Sequence, residues 1–330
     1  MISNTELLAD IEKAMKKMTV SQMGTSVLQP EYFNQFIREA TASQSILSEA
    51  RFMQMTAQTA NIDRIGFSSR ILQVVAEDTD ASNYSDATPA QNQLVAKEFL
   101  AMTGITDQAM RRNIERDNFE STLISLMGER VGLDLEEKAV FGDSAKFTNG
   151  GDGGAIGSLH AQDGWLKKGV GASLYGTGAS KDFDYSKDGI LGAFDAAIGA
   201  YPKPYMRNPA NLRFYVGWDY FDAYRSELVT RETGLGDSAL TSDMQLVYKG
   251  IPVRYASVLD STAGVAVYGN PMILVDPTNL VYGIFENITI EPDRVPKARR
   301  TDFILTVESD QDFENEDAIA IAYPDGTKPE

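Results

Sequence analysis

The sequence contains no cysteine and one histidine, His160, among its 330 residues. The lack of cysteine excludes disulfide bonds, thiolate nucleophiles and cysteine-based zinc sites, and a single histidine excludes any mechanism that needs two. Basic residues are also scarce, since 30 lysines and arginines stand against 47 aspartates and glutamates, for a net charge of −17. Because binding to nucleic-acid phosphates needs a basic surface, this balance argues against a nucleic-acid-binding protein.

Long apolar runs are missing as well. Met1–Val20 has no apolar stretch of signal-peptide length, and no run of about 18 apolar residues that could span a membrane occurs in the chain. We therefore expect a soluble protein made in a cytoplasm. The hydrophobic content of 43% is ordinary for a folded chain, and the length corresponds to about two domains.

Sequence motifs of common catalytic and metal sites are absent. No Gly-Lys pair is present for a Walker phosphate-binding loop, and the run Gly150–Gly157 follows a predicted helix where a phosphate loop follows a strand. His160 has no evident orienting partner, so we interpret it as a surface or interface residue. The acidic run Glu308–Asp317 lacks the glycine of a calcium-binding EF-hand loop and is interpreted as a solvated turn or strand edge. We predict no catalytic residue, no cofactor and no metal site.

The N-terminal region carries an amphipathic helical pattern, and a second one follows at Glu31–Ala50. In the first, apolar residues recur at spacings of three and four: Leu7, Leu8, Ile11, Met15 and Met18. The other side carries charged residues: Glu12, Lys13, Lys16 and Lys17. A helix this short is not stable alone, so it has to dock on another surface. The spacing leaves open whether it packs in its own domain or reaches a neighbouring subunit.

Two strand-like runs bracket a polar, acidic stretch, Ala76–Gln93. The runs are Ile62–Val75 and Leu94–Met102. This arrangement predicts a long hairpin whose tip is too polar to bury itself. Long loops of this kind are uncommon in compact chains, so we expect the tip to gain its order from outside its own fold.

The strongest local pattern spans Thr106–Phe141, where apolar residues recur every four positions: Phe119, Leu123, Met127, Val131, Leu135 and Ala139. It predicts one helix roughly 50 Å long. The adjacent carboxylates Glu136 and Glu137 fall on its predicted solvated face. The following segment, Gly142–Gly178, is rich in glycine and is predicted to be a loop-rich insertion that is mobile unless contacts fix it. The remaining chain mixes strand and helix patterns, which indicates an α+β fold.

One basic cluster stands out against the acidic background: Arg294, Lys297, Arg299 and Arg300. It is either a solvated patch or the partner of a concentrated acidic element. The acidic candidates lie in the predicted hairpin tip: Glu77, Asp78, Asp80 and Asp86. Because a projecting tip can hardly reach this patch within one compact fold, we expect the two groups to make contacts between subunits.

Two further segments complete the order of elements: Asn208–Gly217, which reads Asn-Pro-Ala-Asn-Leu-Arg-Phe-Tyr-Val-Gly, and the strand-rich Gly269–Pro292. An arm, a hairpin with a polar tip, a very long helix and these α/β segments together resemble the major capsid protein of tailed bacteriophages. The fold of that family is shared with encapsulin nanocompartments and with the floor of herpesvirus capsids. The resemblance covers nearly the whole chain, although no single short motif is diagnostic.

The resemblance implies an α+β tailed-phage capsid fold in four parts: an N-terminal arm at 1–57, an extended hairpin loop at 58–104, a peripheral domain with a long spine helix at 105–185 and 286–317, and an axial domain at 186–285 and 318–330. The implied function is structural and not enzymatic. The chain would self-assemble as pentamers and hexamers into an icosahedral shell around double-stranded DNA, in the host bacterial cytoplasm, and would remain in the virion.

The implied partners are further copies of the chain, a scaffolding protein, a portal and decoration proteins, with DNA packaged without specific binding and no membrane. Some relatives carry a long N-terminal scaffolding segment, which nothing here matches, so a separate scaffolding protein is expected. Others crosslink through a loop lysine. Lys97, the only lysine of the predicted hairpin, lies far from the tip, and we expect no crosslinking. The alternatives are an encapsulin shell with enzyme cargo, and a metal-dependent hydrolase using carboxylates such as Asp310, Asp312 and Glu314.

Overall fold

The computed structural model describes residues 46–66, 88–108, 119–147, 155–178, 180–206, 208–230, 246–285 and 289–327. Within these ranges the chain forms a five-stranded sheet, a six-stranded sheet, a two-stranded hairpin and six α-helices. The arm predicted at 1–57 lies outside the described residues up to residue 45. None of the described helices is long and apolar enough to cross a membrane.

The elements are numbered along the chain. The strands are β1 (Arg51–Met55), β2 (Thr59–Gly66), β3 (Thr88–Val95), β4 (Lys97–Thr106), β5 (Ala172–Thr177), β6 (Arg213–Val216), β7 (Val247–Tyr248), β8 (Ile251–Tyr255), β9 (Met272–Val275), β10 (Leu280–Phe285), β11 (Thr289–Val295), β12 (Arg300–Phe313) and β13 (Ile319–Thr327). The helices are α1 (Phe119–Phe141), α2 (Ala155–Ala161), α3 (Trp165–Lys168), α4 (Tyr185–Ala200), α5 (Trp218–Thr230) and α6 (Thr262–Tyr268).

The first sheet is organised by its longest strand, β12. The second half of β12 pairs with β10, which also holds β1 in parallel, and the first half pairs with β11 on one side and β4 on the other. Phe303, Leu305 and Val307 are buried on one face of β12, and the last two join the hydrophobic cluster that contains the end of α1. This alternation has the period of two that a half-buried strand requires. The side that faces this cluster is called the inner face below.

The second sheet has the order β5-β13-β9-β6-β8-β7 and contains the most completely buried strand. All four residues of β9 are buried. Ile273 and Val275 join the cluster shared with the first sheet, whereas Met272 and Leu274 join a second cluster with α4 and α5. A run of apolar residues without alternation is the pattern of a strand that is covered on both faces.

The predicted hairpin is confirmed at its base and differs at its second strand. β2 and β3 pair antiparallel from Thr59↔Val95 to Gly66↔Thr88, so residues 67–87, which include the acidic tip, lie outside the described residues. The predicted second strand, Leu94–Met102, is divided. It leaves the hairpin at Val95, passes buried Ala96, and continues as β4 in the first sheet, because Ala101 and Ile105 have a core to bury against there.

The long helix is confirmed over α1, and the sheets cut across the predicted division of the chain. Thr106 ends β4 rather than starting the helix, Asp107 and Gln108 are helical, and residues 109–118 are outside the described ranges.

β5, from the predicted peripheral segment, pairs with β13 in the second sheet, whereas β10, from the predicted axial segment, belongs to the first. The four-part division stays a prediction.

Contacts fix the described part of the glycine-rich segment Gly142–Gly178, which is the condition under which the sequence predicts no mobility. The segment contains α2, α3 and β5, and the buried Trp165 donates its indole N–H to the carbonyl of Asp312 at 3.1 Å. The Gly164 N–H donates to the carbonyl of Gly142 at 2.7 Å. Here the glycines permit close backbone approach, which the composition alone does not distinguish from flexibility.

Replacing Gly142 by alanine is expected to lower the free energy of unfolding by about 1–3 kcal/mol, because overpacking strains the backbone. The added Cβ would stand 2.4 Å from the carbonyl oxygen of Gln162 and 2.7 Å from that of Lys138. Gly199 in α4 is the matched control, since a Cβ there meets nothing within 4 Å. Gly199→Ala should stabilise by up to about 1 kcal/mol. Urea unfolding of the purified chains measures both, and equal effects would contradict the packing argument.

Candidate assembly sites

The predicted basic cluster lies on and around the turn that joins β11 to β12. All four cationic residues are exposed. Two of them are already paired within the chain. The Arg294 guanidinium binds the carboxylate of Asp107, with Nη2 to Oδ2 at 2.7 Å, and the Arg300 Nε lies 3.0 Å from Oδ1 of Asp302. Hydrogen bonding to Asp107 raises the pKa of Arg294.

Lys297 and Arg299 have no acidic partner among the described residues. They stand on the turn between the paired strand ends Val295 and Arg300, with their side chains exposed. Two internal ion pairs therefore flank the turn, and Lys297 and Arg299 are the cations of the cluster that make no ion pair among the described residues. Their predicted partners, Glu77, Asp78, Asp80 and Asp86, lie outside the described residues, so this pairing stays a prediction.

A buried polar cluster lies beneath the base of the hairpin and is built around Lys138. Lys138 is fully buried near the end of α1. Its Nζ donates to Oε1 of Gln162 and to Oγ of Ser309, both at 2.9 Å, and lies 4.3 Å from the centre of the Phe99 ring. Three distant parts of the chain, α1, the segment after α2 and β12, are thereby held at one point.

The hairpin is fixed to this cluster through Val95, the last residue of β3. The Val95 N–H donates to Oδ2 of Asp310 at 2.7 Å, and Nε2 of Gln162 donates to the Val95 carbonyl at 2.9 Å. Because both polar groups of one peptide residue are held by side chains, the direction in which the hairpin leaves the body is specified by Asp310 and Gln162.

Asp310 and Asp312 are buried, so the interpretation of Glu308–Asp317 as a solvated acidic run is wrong at these residues. Lys168 of α3 forms an ion pair with each of them, with its Nζ 3.1 Å from Oδ2 of Asp312 and 3.7 Å from Oδ1 of Asp310. Regular alternation in the sequence identifies one face of a strand. The sequence pattern does not show that α3 and β3 cover that face of β12 beyond residue 309 and so bury Asp310 and Asp312.

The entry point of the N-terminal region is fixed by Glu136. This residue is fully buried, and its Oε1 accepts hydrogen bonds from the N–H groups of Ile46 at 2.7 Å and Leu47 at 3.1 Å. Glu137 is half-buried and accepts a hydrogen bond from the Ser261 hydroxyl. The prediction that these two carboxylates lie on a solvated helix face is therefore wrong, and the partners that bury them lie far away in sequence.

Burial lowers the pKa of Lys138 to about 7, because the desolvation of the ammonium outweighs the attraction of Asp310, and Lys168 and Lys97 lower it further. The cluster therefore holds a lysine that changes charge near neutral pH.

Replacing Lys138 by methionine is expected to remove a pH dependence of stability. The unfolded chain holds this proton up to pKa 10.5, whereas the folded chain releases it near 7. Between these values the unfolded state binds more protons, so the free energy of unfolding rises with pH, by up to about 1.4 kcal/mol per unit. Below this window the lysine is protonated in both states and adds no slope. Urea unfolding of both chains across the window tests this, and parallel profiles would contradict it.

The remaining chemical candidates do not converge on a site. His160 lies in α2, and its Nδ1 has no hydrogen-bond partner among the described residues. Glu314 is held by Arg51 at 2.8 Å, away from the Lys168 contacts of Asp310 and Asp312. In the described part of the chain, no three histidines or carboxylates are placed to hold a metal ion. The carboxylates named for a hydrolase are thus bound to cations and to backbone.

Comparison with known proteins gives one clear sequence relative. The chain is 29% identical over 316 residues to YqbE of Bacillus subtilis (strain 168), described as a prophage capsid protein, with 94% of this chain and 96% of the relative aligned. No family model matches the chain.

Solved structures of phage and GTA particles share its fold over almost its full length. The satellite phage P4 procapsid, which includes the size determination protein, has a TM-score of 0.66 at 14% identity, over 98% of each chain. The capsid of the native GTA particle has a TM-score of 0.58 at 16% identity, over 93% of this chain and 94% of that one. Mycobacterium phage Adephagia has a TM-score of 0.56 at 14% identity over both whole chains. The chain therefore has the phage capsid fold and resembles a prophage capsid protein along nearly its entire sequence.

Proposed function

We propose that the chain is the major capsid protein of a tailed phage or prophage, a structural subunit that assembles as pentamers and hexamers into an icosahedral shell around double-stranded DNA. The observation that carries the proposal is the extent of the likeness to capsid proteins, which covers 94% of the chain in sequence and 98% in fold. Little of the chain is left over for a separate catalytic domain. The encapsulin and hydrolase alternatives gain no support from these relatives.

The proposed shell is held by several modest contacts for each subunit. The arm, the hairpin and the sheet edges would each engage a neighbour, and linked contacts act together, so the shell dissociates far more slowly than any single contact. In this arrangement the hydrogen bond from the Val95 N–H to Asp310 sets the direction of the hairpin, and the hydrogen bond from the Ile46 N–H to Glu136 sets the direction of the arm.

At the hairpin contact, we assign Lys297 and Arg299 as the groups that meet the acidic tip of a neighbouring subunit, Glu77, Asp78, Asp80 and Asp86. The support is that both cations are exposed on a turn and lack an acidic partner among the described residues. Arg294 and Arg300, which the sequence placed in the same group, hold the turn through Asp107 and Asp302. Their contribution to the contact is therefore indirect.

The other proposed partners follow from a shell function. They are a separate scaffolding protein, a portal, decoration proteins, and DNA that is packaged without specific binding, with assembly in the host cytoplasm before the subunit becomes part of the virion. A net charge of −17 on each subunit supports the DNA proposal, because a surface that repels phosphate lets the genome move along it.

The same charge makes subunit assembly dependent on salt. Self-repulsion between subunits of charge −17 opposes association, and the Debye length falls from about 30 Å at 0.01 M to about 8 Å at 0.15 M ionic strength. Light scattering by purified subunits should therefore rise faster at the higher ionic strength. Faster assembly at the lower value would show that net repulsion does not control association. Chains that scatter as single subunits at every ionic strength would argue against the shell itself.

A further inference from the structure

Strand β4 forms an open edge of the first sheet. Among the described residues it pairs with β12 alone. The N–H of Asp107, just beyond the strand, donates to the carbonyl of Arg299 at 2.9 Å and continues this ladder. Because hydrogen-bonded and non-hydrogen-bonded pairs alternate along an antiparallel ladder, the odd-numbered residues of β4 direct their peptide groups towards β12. The even-numbered residues from Glu98 to Gly104 therefore direct their peptide N–H and C=O groups away from the sheet.

This edge is apolar and lacks the features that usually protect an edge strand. Leu100 is 55% exposed and Met102 is 68% exposed. β4 contains no proline, and its charged residues stand at its first two positions only. The strand on the other side of β12, β11, carries proline and charges instead: Glu291, Pro292, Asp293 and Arg294. Because charges and proline prevent unwanted pairing, this contrast identifies β4 as the edge that is open to strand addition.

A second copy of β4 fits this edge when it runs antiparallel about a twofold axis through Met102. In that register the outward peptide groups of one copy meet those of the other, because even-numbered residues lie opposite even-numbered residues. The opposed residues are Met102 with Met102, Leu100 with Gly104, Glu98 with Thr106, and Lys97 with Asp107. Opposite charges face each other in the last pair and no pair combines like charges, which favours the pairing. A shift of the axis to Ala101 would place Lys97 opposite Ile105 and lose the charge pair.

We propose that two copies of the chain join their first sheets by antiparallel pairing of β4 with β4, in the register centred on Met102. The pairing supplies hydrogen-bond partners for the peptide groups of the edge and covers part of the exposed Leu100 and Met102 side chains. A twofold contact cannot repeat around a five- or sixfold ring, whose contacts run head to tail, so it joins subunits of two adjacent rings. The inference rests on the proposed shell function for these rings and for the presence of a second copy.

The absence of cysteine makes the register testable with single substitutions, because any disulfide then joins two copies. In a Met102→Cys chain the two cysteines lie directly opposite each other, with Cα atoms about 5.5 Å apart, which is within the range of a disulfide. Leu100→Cys is the matched control. It lies on the same face of the same strand, but four positions from its symmetry mate, roughly 14 Å along the strand. After mild oxidation at moderate salt, Met102→Cys should give about tenfold more disulfide dimer on a non-reducing gel, because contact raises the effective concentration.

A second variant tests the hydrogen bonds themselves. Leu100→Pro removes an N–H that faces away from β12, so the ladder within the subunit stays intact, as circular dichroism can check. Added to Met102→Cys, it should lower the dimer yield about tenfold, because the symmetric contact loses one hydrogen bond in each copy.

Equal dimer yields from Met102→Cys and Leu100→Cys would overturn the proposal, and so would a yield that Leu100→Pro leaves unchanged. If chains with equal yields still formed closed particles in electron micrographs, the strand pairing would be wrong and the shell function would stand. Dimers of Met102→Cys without particles would support the pairing and argue against the shell.

Discussion

A chain in which Lys297 and Arg299 are both replaced by glutamate is expected to fold normally and to form no particles. Both side chains are exposed and make no ion pair among the described residues, so the subunit loses no internal contact. At the proposed contact, each reversal replaces an attraction to the acidic tip by a repulsion. Because like charges that face each other at an interface cost several kcal/mol, and the contact repeats around every capsomer, assembly should fail.

The control for this result makes the same change in net charge elsewhere. Lys203, just after α4, and Arg225 of α5 are exposed and make no ion pair among the described residues, and replacing both by glutamate should leave particle formation unchanged. Adding Glu77→Lys and Asp78→Lys to the first variant should restore part of the assembly if the proposed partners are right. Circular dichroism checks folding, and sedimentation counts particles. Normal particles from Lys297→Glu with Arg299→Glu would contradict the proposed contact.

Replacing Asp310 by alanine is expected to lower the free energy of unfolding of the subunit by about 3–5 kcal/mol, as for other broken buried ion pairs. Its carboxylate accepts the Val95 N–H at 2.7 Å and lies 3.7 Å from the ammonium of Lys168. Removal leaves the part-buried N–H of Val95 without its acceptor and takes away one of the two carboxylates that face Lys168. The loss also frees the hairpin base, so assembly should suffer beyond the loss of stability.

The matched control is a solvent-exposed ion pair formed by Glu314, the residue that follows β12. Glu314 binds Arg51 at 2.8 Å, with side chains 46% and 52% exposed, and Glu314→Ala should cost about 0–1 kcal/mol. Asp310→Asn keeps an acceptor for Val95 and should fall between the two. Urea unfolding of unassembled subunits ranks the three variants. Equal losses for Asp310→Ala and Glu314→Ala would show that the buried cluster does not hold the hairpin.

Periodicity was sufficient to predict much of this fold. The four-residue stripe of α1 predicted a helix, and the apolar run of β9 lies in a segment predicted to be rich in strands, because apolar residues have to be buried. The polar stretch between two strand patterns likewise predicted the hairpin formed by β2 and β3. These are local properties, and the sequence displays them directly.

The buried carboxylates that bind backbone N–H groups could not be predicted from periodicity. Glu136 and Asp310 read as solvated because carboxylates usually are, and the groups that bind them, the N–H of Ile46 and of Val95, lie far away along the chain. The basic turn was visible as a cluster, but its division into two paired and two unpaired cations depends on Asp107 and Asp302. A pattern of charges in the sequence indicates which residues need ion-pair or hydrogen-bond partners. Which residues become those partners depends on the tertiary fold.

Electron microscopy of the purified full-length chain tests the central claim most directly. If extended limbs and charged contacts join identical copies, grids of the protein at moderate salt should show closed, hollow shells of uniform diameter built from pentamers and hexamers. A chain that remains a compact single subunit at every concentration and ionic strength tried, with its arm and hairpin packed on its own body, would contradict the account.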